Sequence, residues 1–162
     1  MVSSECNLLI EKYFNDRNLI LTVNNLSVAT IILNRVDKHN ALDSEMVLGL
    51  KQIFDYLDDY SENNKVRILV LKANGKAFCA GADLSHMQRM VNFSYQENYD
   101  DALELAQVLD RLNNFYCPTI AVVNGSVLIQ LRDEATADQV VTQLKKDLPK
   151  LQASLDGNNV KI

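Results

Sequence analysis

The chain has 162 residues, of which 48% are apolar and 23% charged, enough material for one globular domain with a small appendage. A net charge of −5 without a local basic patch argues against nucleic acid and anionic lipid as partners. No apolar run is long enough to span a bilayer and the first residues lack a signal-peptide pattern, so a cytoplasmic protein with no membrane association is expected.

Residues 18–23 and 28–33 are rich in β-branched residues and leucine, and Asn24-Asn25 between them predicts a hairpin. Asp43 is placed to cap a helix in which Met46, Leu50, Ile53, Leu57 and Tyr60 recur at helical spacing. Residues 66–71 form a continuous apolar run that reads as a buried strand, followed by a small-residue loop over 73–82. A second helix is expected with Ala102, Ala106, Leu109 and Leu112 along its packed face. Pro118 then precedes a buried-looking strand over 119–123, closed by Asn124-Gly125. Beyond this point the pattern changes. Residues 126–131 read as a strand. Thr136 with Gln139 makes a capping box for a helix striped by Val140, Leu144, Leu148, Leu151 and Leu155, kinked at Pro149 and stopped by Asp156-Gly157. Residues 160–162 open a further strand. The fold class is α/β, a sheet covered by helices followed by a strand-helix-strand tail, divided into units 1–126 and 127–162. The tail carries five positive and five negative residues, so the whole net charge lies upstream of it.

The segment with most chemical content is Gly75-Lys76-Ala77-Phe78-Cys79-Ala80-Gly81-Ala82-Asp83-Leu84, lying between a strand and a helix. Small residues there let a ligand approach the backbone closely, and unpaired N–H groups at a helix start attract negative charge, such as the oxyanion of a reacting thioester. This loop resembles the first oxyanion-hole motif of the crotonase superfamily of enoyl-CoA hydratases and isomerases. Three further stretches agree with it in order and spacing: Val28-Ala29-Thr30-Ile31-Ile32-Leu33-Asn34-Arg35 with Asp37-Lys38-His39-Asn40-Ala41-Leu42, the strand from Val66 to Leu71, and Pro118-Thr119-Ile120-Ala121-Val122-Val123-Asn124-Gly125. The resemblance covers residues 17–126 and implies the N-terminal part of a ββα superhelix. The run from Leu84 to Met90, with Ser94, Glu97-Asn98 and Asp101-Ala102, is most similar to the methylglutaconyl-CoA hydratase branch. The resemblance implies a backbone oxyanion donor at Ala82. It places Lys38, Asn40 and Ala41 along the pantetheine and phosphate path, and Ala80, Asp83 and Leu84 at the adenine end. Coenzyme A enters only as part of the substrate, with no cofactor and no metal. Val36 stands where the family usually has proline.

The family chemistry also needs a second N–H from a glycine-rich run soon after Asn124-Gly125, and carboxylates beyond it. This chain reads Ser126-Val127-Leu128-Ile129-Gln130-Leu131-Arg132 there, with no glycine until Gly157. The expectation is therefore a truncated crotonase-like protein that binds acyl-CoA but does not complete hydration alone. Asp133 falls at the offset where the first catalytic glutamate is expected, with Glu134 beside it. A second reading thus makes the chain a working hydratase that uses one of these acids or a partner chain. A third makes it a non-catalytic module that self-associates through an exposed sheet edge, a homo-oligomer.

His39 and His86 lie on separate elements with no acid partner visible in the sequence, and Met87 and Met90 read either as acyl-pocket wall or as plain core packing. Cys79 reads as a small buried residue without an activating base. Cys6, Cys79 and Cys117 have neither zinc nor disulfide spacing. Residues 135–162 resemble the helix and following strand of a β-grasp molybdopterin-synthase small subunit, without its terminal Gly-Gly.

Overall fold

The structure, a computed structural model, describes residues 8–63, 66–123, 126–130, 154–156 and 159–161. The first four elements are strands β1 (Leu8–Phe14), β2 (Leu19–Asn24) and β3 (Val28–Leu33), then helix α1 (Ser44–Asn63). They are followed by strand β4 (Ile68–Ala73), helices α2 (Leu84–Met90) and α3 (Tyr95–Asn113), and strand β5 (Thr119–Val123). Three short strands complete the order: β6 (Ser126–Gln130), β7 (Ser154–Asp156) and β8 (Asn159–Lys161). All eight strands join one sheet in the order β1-β2-β3-β4-β5-β6-β8-β7.

The period-2 pattern of the hairpin sets which face of the sheet is covered. Leu19, Leu21 and Val23 of β2 and Ala29, Ile31 and Leu33 of β3 all turn inward. Opposite them α1 presents Met46, Val47, Leu50, Ile53, Phe54 and Leu57, an apolar stripe at helical spacing. Asp43 caps α1 as the sequence implied, its Oδ1 accepting from the Met46 N–H at 2.9 Å. From β3 the chain crosses over through α1 to the parallel strand β4, and through α2 and α3 to the parallel strand β5. Short parallel strands joined by helical crossovers bring the loop after β4 against the turn after β3.

Four expectations change. Residues 8–14 form an edge strand that the sequence pattern did not reveal: Ile10 and Phe14 pack on the core, but the residue between them on the same face is the exposed Lys12, which breaks the apolar alternation. Strand β4 buries only Leu69 fully, and β5 is half-buried with Val122 39% exposed, because the covering stripe of α1 lies over the hairpin half of the sheet. On α3 the fully buried residue is Val108, with Leu105 and Leu112 partly buried, whereas Ala102, Ala106 and Leu109 are exposed. Leu155, expected in a helix, belongs to strand β7, paired antiparallel with β8. The rest of that expected helix, including Thr136, Gln139, Val140, Leu144, Leu148, Pro149 and Leu151, lies outside the described residues, as does Cys6. The sheet runs on past residue 126 through β6 and β8, and among the described strands β1 and β7 stand at its two ends. Among the described residues no helix is long and apolar enough to cross a membrane.

Candidate functional site

The site is built where two loops cross. After β3 the chain makes one 3₁₀ turn (Val36–Lys38), and then His39 and Asn40 both take left-handed backbone conformations, with φ of 51° and 57°. Asparagine tolerates this region better than most residues. The Asn40 side chain is fully buried, and its Nδ2 donates to the carbonyls of Asn74 (2.9 Å) and Ala77 (2.8 Å). The loop after β4 is thereby tied to the turn after β3. Gly75 lies in the same crossing: its φ is +88°, and a Cβ there would meet the Val36 side chain at 2.8 Å.

Backbone bonds then align residues 80–83 with residues 39–42. Ala80 N–H donates to His39, Leu42 N–H to Gly81, and Asp83 N–H to Leu42, forming a parallel bridge between Leu42 and Ala82. Successive peptide groups of an extended segment face opposite sides. Since the Gly81 carbonyl and Asp83 N–H face Leu42, the N–H of Ala82 faces away from it. There it meets no acceptor among the described residues. Gly81, at φ +85°, makes the bend that presents it. The Gly81 N–H donates to the sulfur of Cys79 at 3.4 Å; that thiol is half-buried rather than fully enclosed.

One side chain fastens this crossing to both helix starts. The Arg35 guanidinium donates to the Ala41 carbonyl (3.0 Å), pairs with Asp83 Oδ2 (2.9 Å) and pairs with Asp43 Oδ2 (2.8 Å). Asp43 caps α1 and Asp83 caps α2, so a single cation sets the two N-termini side by side. The Asp83 carboxyl is held below its usual range, chiefly by the His86 N–H it accepts and further by Arg35. Sequence reasoning included Arg35 in a motif without assigning it a role. The signal was present as one arginine shared by two capping aspartates, but their meeting depends on the crossover.

Two cavities open at the crossing, and Ala82 lines both. The first, of about 370 Å³, is walled mainly by Val47, Met87, Met90, Ala102, Leu105 and Leu109. Met87 and Met90 line this cavity and neither is buried in the core. Ala102 and Leu109 are exposed because they face this cavity instead of the core. The second, of about 420 Å³, is more polar and gathers Lys38, Ala41, Ala80, Asp83 and Leu84. Five of the six expected CoA contacts thus come together. The sixth, Asn40, is buried behind the wall as a loop anchor, and the carboxylate of Asp83 is engaged by Arg35 and α2.

His86 corrects the sequence reading. It is buried, and its Nε2 lies 3.0 Å from Asp101 Oδ2. Ser44 Oγ closes a triangle, donating to Asp101 Oδ1 at 3.1 Å and standing 3.4 Å from His86 Nδ1. All three residues line the apolar cavity. Asp101 is fifteen residues from His86 on another helix, so the pair forms only through packing.

Strand β6 occupies the stretch where the crotonase resemblance calls for a glycine-rich second donor. It runs antiparallel to β5, with Val123 opposite Ser126, and over residues 128–130 it is also paired with β8. Asp133 and Glu134 lie outside the described residues.

Comparisons with known proteins agree on one family. The enoyl-CoA hydratase/isomerase model matches residues 23–129. A protein of Thermus thermophilus named as a candidate enoyl-CoA hydratase is 41% identical over 98 residues, which are 60% of this chain and 38% of that one. The crystal structure of an enoyl-CoA hydratase from Shewanella pealeana superposes with a TM-score of 0.60 at 41% identity, covering 66% of this chain and 39% of that one. One from Mycobacterium smegmatis gives 0.58 at 33% identity, covering 65% and 39%. The chain spans about two fifths of the length of these relatives.

Proposed function

The chain belongs to the enoyl-CoA hydratase/isomerase family, and from that premise we propose that it binds an acyl-CoA thioester across the Ala82 junction without completing hydration on its own. In this reading the thioester oxygen accepts from the Ala82 N–H. The acyl chain enters the apolar cavity, and coenzyme A follows the polar one past Lys38, Ala41, Ala80 and Leu84. The observation that carries the reading is the uncommitted N–H of Ala82 at the meeting point of the two cavities. A lone oriented donor polarises the carbonyl, but a developing oxyanion with one donor in place of two loses roughly 3 kcal/mol, about a thousandfold in rate. What supports incomplete chemistry is the course of β6, whose backbone joins the sheet where a second donor is required.

Calorimetry of the full chain with CoA and with butanoyl-CoA tests the binding. Both should bind, the thioester more tightly. Ala82→Pro removes the N–H while leaving the two bridge bonds to Leu42, and should weaken the thioester about tenfold while CoA itself still binds. Absence of any heat with either ligand refutes the proposal. Hydration of an enoyl-CoA above background that disappears in Asp133→Asn or Glu134→Gln replaces it with a working hydratase.

A further inference from the structure

The Ser44–His86–Asp101 triangle has no part in the binding just described, yet it forms one wall of the apolar cavity. On its other side is a separate cavity of about 220 Å³ between α1 and α3, lined by Ser44, Val47, Leu48, Asp101 and Glu104. Ser44, Val47 and Asp101 line both spaces, so these residues are the partition between them. The partition is braced from three directions. Ser44 begins α1, His86 lies on α2 and Asp101 on α3, and Val47 packs beside them with 8% exposure.

Resting on the acyl-CoA reading above, we infer that this polar partition is the floor of the acyl pocket and sets the length of chain it accepts. Two effects act together. The linked side chains close the space, and an apolar chain end pressed against them strips water from a carboxylate and a hydroxyl without offering a hydrogen bond. Short acyl groups stay among Met87, Met90 and Leu105. Longer ones must part Ser44 from Asp101 to reach the space between α1 and α3.

The test is a calorimetric series of straight-chain thioesters from butanoyl-CoA to decanoyl-CoA on the full chain. Each methylene that enters the pocket should raise affinity about fourfold, and the series should break where the chain meets the partition. Asp101→Ala should move that break to longer chains, and Ser44→Ala should move it the same way by less. Asp101→Asn keeps the bulk and should leave the break in place. A series that rises without a break in the wild type, or a break that stays put in both alanine variants, overturns the inference while the binding proposal stands. Failure of every thioester and of CoA itself to bind defeats both. Thermal melts of both alanine variants check the fold, and Ser44→Ala, which leaves the His86–Asp101 contact intact, carries the test if Asp101→Ala is unfolded.

Discussion

Asn40 offers a direct measure of how the crossing of the two loops is held. Asn40→Ala deletes two hydrogen bonds, to the Asn74 and Ala77 carbonyls, each worth about 1 kcal/mol net. It also puts a Cβ-bearing residue with no polar side chain at φ 57°, which adds about 1 kcal/mol. One contribution opposes these: Oδ1 of Asn40 is buried without a partner, and removing it returns about 1 kcal/mol. The balance is a loss of about 2 kcal/mol, or about 1 M in the urea midpoint at an ordinary denaturant slope. Asn40→Gly keeps the left-handed turn and should recover about 1 kcal/mol relative to alanine. Asn40→Asp points a carboxylate at two carbonyl oxygens and should be the least stable of the three. Urea unfolding followed by far-UV circular dichroism ranks them, and thioester affinity should fall in the same order as the Ala80–Asp83 segment loses its anchor. A loss below about 0.5 kcal/mol for Asn40→Ala, or an aspartate variant as stable as wild type, would refute the reasoning.

Asp83 governs a pH response. Its folded-state carboxyl titrates below the ordinary value of 3.8, so its contribution is complete above that value and is lost as pH falls through the lowered one. Asp83→Asn should flatten the acid side of the stability curve while leaving the neutral side parallel to wild type, measured as urea midpoints between about pH 2 and 7; an unchanged acid slope counts against the His86 cap and the Arg35 pair together. Ser94 and Glu97 form a reciprocal capping box at the start of α3. Ser94→Ala should cost about 1 kcal/mol, a fall of about 2–4 °C in Tm. Glu97 is likewise held low, first by the Ser94 N–H, so this part of the stability is also lost on the acid side.

The hairpin, α1 with its Asp43 cap, β4, β5 and the glycine loop were legible in the residues because each is a local pattern: alternation, helical spacing, a capping carboxylate, a left-handed glycine. Ala82 stands out through the resemblance of its loop to a family motif, not by local pattern alone. What local pattern cannot convey is which side of a helix meets what. Ala102 and Leu109 have the spacing of a core stripe yet face a cavity, and His86 has no acid nearby in sequence yet lies against Asp101. Arg35 could be read as a motif residue, but not as the cation joining two helix caps 40 residues apart. Sequence order specifies the bonds each segment makes with itself. Contacts between α1, α2 and α3 arise only once the parallel crossovers stack their ends, and that stacking decides which side chains form the core, the wall and the floor of the pocket.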